Sequence, residues 1–213
     1  VWFLTSGGER LPYDDGRVKT PAELLADADI EDSMRLPYPL EPARPDLAPD
    51  EDPGRVRCYP LLRALYGADR RAVEAGIVRV PFGARVKVRL AGRAAAAFQR
   101  VAEAWAARPV PALSDYFSPI YGYYWRLIAK TGRLSPHAFG IAVDLNPDKS
   151  PYWQWSTLRP HPLQKTFPAE IVGLFEENGF IWGGKWEHFD LMHFEYRPEL
   201  VIKARKLESG RGR

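Results

Sequence analysis

Cysteine is almost missing from this chain. Cys58 stands alone, which excludes an internal disulfide and says little about compartment. Long apolar runs are missing too, and no stretch reaches the roughly 20 residues that a membrane-spanning helix needs. Charge of one sign is also scarce: 30 Lys and Arg against 27 Asp and Glu leave a net charge of +3. That excess is too small to argue for nucleic acid. One further lack removes a tempting motif. Asp144, Asn146, Asp148 and Ser150 alternate like the start of a calcium-binding loop, but Lys149 stands where the loop needs glycine.

What remains is a chain of 213 residues, 46% hydrophobic and 27% charged, enough to bury a core in one or one and a half domains. Residues 1–55 read as an N-terminal extension. Thr20-Pro21-Ala22-Glu23 is a capping box that opens a short helix. Pro37, Pro39, Pro42, Pro45, Pro49 and Pro53 then break regular structure, which predicts an extended strap packed on the surface or serving as a spacer. The domain proper spans 56–202. The last stretch, 203–213, is a charged tail expected to fray.

Within the domain, Leu61, Leu62, Leu65 and Tyr66 recur at helical spacing up to Gly67, and Asp69 opens a second short helix that Gly76 closes. Residues 84–90 alternate Val86, Val88 and Leu90 with Arg85, Lys87 and Arg89, giving a strand with one buried and one basic face. Residues 94–107 form a helix with Phe98, Val101 and Trp105 on one stripe. Pro168 opens another, with Ile171, Leu174 and Phe175 inward and Gly179 at its end.

Two short segments carry the chemistry. Ser135 to Asp144 reads S-P-H-A-F-G-I-A-V-D, and Asp190 to Glu195 reads D-L-M-H-F-E. If 139–146 is a strand, Ile141, Val143 and Leu145 share one face, and Gly140, Ala142 and Asp144 form a small-residue floor on the other. His137 enters from the loop before it. In 191–197, Met192, Phe194 and Tyr196 share the core parity, while His193 and Glu195 share the opposite one. Asp190 has the wrong parity for that face, so it belongs to a turn or bulge. Catalytic zinc usually takes three protein ligands from imidazole and carboxylate and keeps a position open. His137, Asp144 and His193 make such a set, with Asp190 as proton shuttle and Glu195 in reserve. Each residue singly has a plainer reading, a lone histidine more often being structural; His161 and His188 are read so. The joint spacing outweighs it.

The pattern S-x-H-x-x-G-x-A-x-D, then G-F-x-W-G-G-x-W, then D-x-x-H-F-E, resembles the VanY-like M15 metallopeptidases, which are D-alanyl-D-alanine carboxypeptidases and L-alanyl-D-glutamate endopeptidases. The likeness covers about Arg126 to Arg197. It implies one zinc ion on His137, Asp144 and His193, a catalytic carboxylate at Asp190, and an arginine, Arg126, that holds substrate or polarises its carbonyl. Arg133 competes for that last role. Ser135, Tyr124 and Trp182 join Arg133 as candidate substrate contacts; Tyr124 belongs to an aromatic stretch, 116–125, that walls a cleft or fills the core. Trp153 and Trp155 are placed near its mouth. Lys185 departs from the family, which often has an acidic residue there, and this bears on specificity at the rim.

The fold implied is α+β, a small antiparallel sheet bearing the zinc site with helices packed on the other face. The function implied is hydrolysis of peptidoglycan stem peptides by a monomer that is periplasmic or secreted and associated with the cell envelope, with no nucleic-acid partner. A pI near 9.0 suits work beside an anionic wall, and the start at Val1 fits removal of a signal peptide or a shortened terminus. The alternative is a binding module of the same fold that keeps zinc without turnover, as hedgehog signalling domains resemble this fold.

Overall fold

The computed structural model describes residues 1–5, 7–41 and 48–211. Chain order begins with a hairpin of β1 (Trp2–Leu4) and β2 (Arg10–Pro12), followed by α1 (Pro21–Ala26) and α2 (Ile30–Met34). The capping box at Thr20 forms as expected, with Thr20 Oγ1 accepting from the Glu23 amide and Glu23 accepting from the Thr20 amide. A second box, Asp29 with Asp32, opens α2. Between them Lys19 is buried, its ammonium 2.7 Å from Asp15, 2.6 Å from Asp32 and 3.4 Å from Asp29.

The proline-rich strap is anchored where it is described, and Pro42 and Pro45 lie outside the described residues. Tyr38 is buried, its hydroxyl donating to Glu176 at 2.5 Å and accepting from the Trp182 amide at 2.9 Å. The Pro39 carbonyl accepts from Lys185. Further on, the Pro53 carbonyl accepts from the Trp186 indole. At Tyr38, Pro39 and Pro53 the strap is packed on the domain.

Next come α3 (Tyr59–Tyr66), α4 (Arg70–Ala75), β3 (Ile77–Phe82), β4 (Val86–Ala91) and α5 (Gly92–Ala107). α3 and α4 fall where the leucine spacing and Asp69 place them, and Asp69 caps the Ala72 amide. In β4, Val88 and Leu90 are buried while Arg89 faces out over the Tyr123 ring. Its antiparallel partner β3 has a weaker alternation, Val80 and Phe82 buried and Val78 exposed, and is not among the elements that the sequence pattern predicts. α5 buries Phe98 and Val101 completely; each such side chain contributes about 1.5–3 kcal/mol.

The remaining elements are a 3-10 turn at Pro111–Phe117, another at Pro136–Phe139, β5 (Ala142–Asp144), a 3-10 turn at Trp153–Trp155, α6 (Leu163–Thr166), α7 (Ala169–Glu177), β6 (Phe180–Trp182), a 3-10 turn at Gly183–Lys185, β7 (His193–Tyr196) and α8 (Pro198–Arg211). β5, β7 and β6 form a three-stranded antiparallel sheet with β7 in the middle. α7 covers one face of it, where Phe175 stacks on Phe194 with ring centroids 4.1 Å apart. The architecture is α+β with small antiparallel sheets. Two local expectations change. The strand drawn over 139–146 shortens to three residues because 136–139 coil as a 3-10 turn and Gly140 takes φ +68°. The charged C-terminal run continues α8, with Val201 and Ala204 buried.

Candidate metal and active site

The site sits on the polar face of the three-stranded sheet. β5 and β7 pair so that Asp144 and His193 are direct register partners. His137 arrives from the 3-10 turn before β5, which Ser135 caps by accepting from the His137 amide. Gly140 ends that turn in a left-handed conformation, and a Cβ there would lie 2.5 Å from Ile77 and 2.8 Å from the Ala91 nitrogen. Only glycine allows the turn to close against β4, whose Ala91 amide donates to the Gly140 carbonyl.

Three ligand atoms converge. Nδ1 of His193 is 3.0 Å from Asp144 Oδ1, and Nε2 of His137 is 3.0 Å from Asp144 Oδ2. The imidazoles stand edge to face with centroids 5.3 Å apart. One donor atom from each of the three residues lies within 4.8 Å of the others. The His137 tautomer follows from its partner: Nδ1 lies 2.8 Å from the Gly122 carbonyl, which can only accept. Nε2 is then the nitrogen left for the site. It is buried and makes no aligned hydrogen bond, despite its proximity to Asp144. A buried imidazole nitrogen without a hydrogen bond, beside a carboxylate and a second imidazole, fits a cation shared among the three.

Burial disfavours the Asp144 carboxylate, but His137 and His193 outweigh it and hold the carboxyl well below its usual range. Burial likewise opposes charge on His193, yet hydrogen bonds to Asp144 and Glu195 raise its imidazole to about 10. Asp190 goes the other way. Burial first, and the Asp144 charge second, push it up to about 6. Its Oδ1 is buried without a hydrogen-bond partner.

Asp190 occupies the turn that its parity requires. Its carbonyl accepts from the His193 amide, its amide donates to the Gly183 carbonyl, and its backbone bridges to Tyr152. A Cβ on Gly183 would lie 2.7 Å from the Asp190 oxygen, so the glycine in the Trp182-Gly183-Gly184 turn lets the two segments touch. Arg126 is exposed, and its charge reaches both Asp190 and Tyr152. Tyr124 is 67% exposed, on the segment whose amide donates to the His137 carbonyl. The aromatic stretch divides: Tyr121 and Tyr124 are exposed, while Tyr123 is buried and donates to Glu74. Trp155 is exposed, and Trp153 packs on the core.

Several expected substrate contacts are placed elsewhere. Trp182 is completely buried between Phe167 and Phe194, its indole donating to the Leu191 carbonyl, so it supports the floor rather than facing a ligand. Ser135 is buried with its hydroxyl used as a cap. Arg133 spends its guanidinium on the Leu25 carbonyl in α1. Lys185 is not at a rim at all: it is fully buried, 2.5 Å from Glu176. Glu195 cannot serve as a reserve proton carrier, because both its oxygens are held by Arg57 and it lies wholly buried behind His193. Arg57 was invisible to the sequence analysis, since nothing local connects it to a residue 138 positions away. His161 accepts from the Leu163 amide, and His188 meets Asp52 and Glu187.

On the polar face of this sheet His137, Asp144 and His193 make a group that could hold a metal ion, with Asp190 close enough to feel their charges. Comparison with known proteins narrows the class. Residues 129–196 match the D-alanyl-D-alanine carboxypeptidase family, and that segment is M15-like metallopeptidase in pattern, as the motif resemblance implied. The match supports a peptidase, and a peptidase implies peptide substrates. M15 peptidases are generally metal-dependent, and the His137, Asp144 and His193 group is one that could hold the ion. The chain is also 29% identical over 104 residues to the nucleolar protein SWM2 of Vanderwaltozyma polyspora, an alignment covering 49% of this chain and 63% of that protein. This chain thus spans less than two thirds of that relative, whose name carries no argument about peptidase chemistry. No solved structure matches. Among the described residues, no helix is long and apolar enough to cross a membrane.

Proposed function

We propose that this protein is a zinc-dependent peptidase that hydrolyses peptide bonds in peptidoglycan stem peptides at the bacterial cell envelope. His137, Asp144 and His193 hold the ion. A zinc ion held there would supply Lewis acidity and lower the pKa of water toward neutrality. Asp190 accepts the proton of the attacking water at Oδ1 and returns it to the leaving amine. Arg126 sets an exposed positive charge whose field reaches Asp190, suited to a carbonyl gaining negative charge or to an anionic peptide. Tyr124 offers an exposed aromatic wall for the substrate.

The observation that carries this reading is Asp190. A carboxylate oxygen buried without a partner costs stability, and a value near 6 is close to what a general base at neutral pH requires. A module that only stored zinc would gain nothing from it. The test is mass spectrometry of defined muropeptides incubated with zinc-supplied protein, beside Asp190→Asn. The native chain releases peptide or amino-acid fragments, and the variant is slower by roughly 10²–10⁴-fold with its zinc content unchanged. No release by the native chain would remove the hydrolase reading; equal rates would remove Asp190 as the base.

A further inference from the structure

Glu195 and Arg57 form a buried unit directly behind the second histidine. Glu195 is 0% and Arg57 5% exposed. Arg57 Nε lies 2.9 and 3.0 Å from the two Glu195 oxygens, and its Nη2 is 2.6 Å from Oε2. The same Oε2 is 3.3 Å from His193 Nε2. Arg57 is itself fixed, donating through Nη1 to the Arg55 carbonyl and lying over the Trp186 ring. Trp186 in turn flanks the His193 ring at 5.7 Å.

A buried ion pair is a weak source of stability, because desolvation offsets most of its attraction. Its position is more informative than its energy. A carboxylate only accepts, so it keeps a proton on His193 Nε2 and leaves Nδ1 facing Asp144. Gly122 imposes the mirror arrangement on His137, where the carbonyl takes Nδ1–H and leaves Nε2. One imidazole is oriented by backbone and the other by a carboxylate that pairs with Arg57, from outside the matched segment, with Arg197 3.8 Å from its other oxygen.

Resting on the metal reading above, we infer that Glu195 and Arg57 are positioning residues that fix His193 to bind the ion through Nδ1. They touch neither substrate nor ion. Arg57 supplies two directed N–H groups that hold the carboxylate plane, which a lysine would not reproduce. Outer partners of this kind change metal affinity by about 10–100-fold when altered. It follows that Arg57, just where the strap meets the domain, and the Arg55 carbonyl that holds it belong to the support of the site.

The experiment is zinc competition against a chromophoric chelator, with the full native chain, Glu195→Gln and Arg57→Lys. Both folded variants bind zinc roughly 10–100-fold more weakly than the native chain. A purely structural role would instead lower the melting temperature of the metal-free protein and leave the affinity of the folded fraction unchanged, and that result overturns the inference. Long-range proton–nitrogen NMR of the zinc-loaded native chain gives a readout that needs no variant. His193 is expected with its proton on Nε2 and the metal on Nδ1; the reverse assignment overturns the inference even if both variants fail to fold. A native chain that binds no zinc overturns the metal reading itself, whereas tight zinc binding with unaffected variants overturns only the role of Glu195 and Arg57.

Discussion

Asp144 and His193 face each other across neighbouring antiparallel strands, with Oδ1 and Nδ1 3.0 Å apart. The strand register makes the contact, since partners in a narrow pair bring their side chains together on one face. His137 is then added from a turn, on the other carboxylate oxygen. The site therefore depends on sheet pairing for two of its groups and on one glycine for the third.

The acid limb of activity should reflect Asp190. The group works as a carboxylate, and burial with the Asp144 charge raises it to about 6. Activity is expected to be full above that value and to fall tenfold per pH unit below it. A bound cation pulls the limb lower, never higher. The check is a pH profile of kcat/KM on a stem peptide, and a rate that rises as pH drops from 7 to about 5 would contradict the assignment.

The two arginines separate cleanly. Arg126 is exposed and its charge reaches Asp190, so Arg126→Ala is expected to reduce kcat/KM by about 10²-fold or more with little change in melting temperature. Arg133 is tied to Leu25. Its alanine variant should keep kcat/KM near native and lose roughly 1 kcal/mol of stability. Steady-state kinetics and chemical denaturation on the pair of variants decide the matter.

Gly140→Ala tests the turn that carries His137. A Cβ there meets Ile77 and the Ala91 nitrogen inside contact distance, at positive φ. The substitution is expected to cost about 1–3 kcal/mol and to weaken zinc binding in the molecules that still fold, because the turn delivers a ligand. Melting temperature and chelator competition report the two effects separately.

Lys185 and Glu176 should behave as a buried pair. Lys185→Met strands a carboxylate whose one remaining side-chain hydrogen bond among the described residues is from Tyr38, with an expected loss of about 3–5 kcal/mol. The double variant Lys185→Met with Glu176→Met should recover most of it. Urea denaturation of both gives the coupling, and an equal loss in the two would show that the pair itself is not the cause.

Much of the scaffold was legible because it is encoded within a few residues. Thr20 and Glu23 close their box over one turn, Asp69 caps three residues on, and Phe98 and Val101 share a helical face. The site residues were legible in a different way. Asp144 and His193 carry strand parity and a recognisable spacing, and Asp190 was placed in a turn because its parity left no other option. The substrate wall was read less well. Trp182 and Ser135 sit in the right motif, but burial gives one to the floor and the other to a cap.

The sequence by itself determined the capped helices, strand β4, the histidine and carboxylate spacing, and the shared parity of His193 and Glu195, since each depends only on the helical or strand repeat. Tertiary structure alone decided that Arg57 neutralises Glu195, that Lys185 is buried against Glu176 and Tyr38, and that Arg133 is spent on α1. The physical reason is distance along the chain. A charge with no nearby partner reads as solvated until folding returns a distant segment to it, and burial then obliges the two to pair.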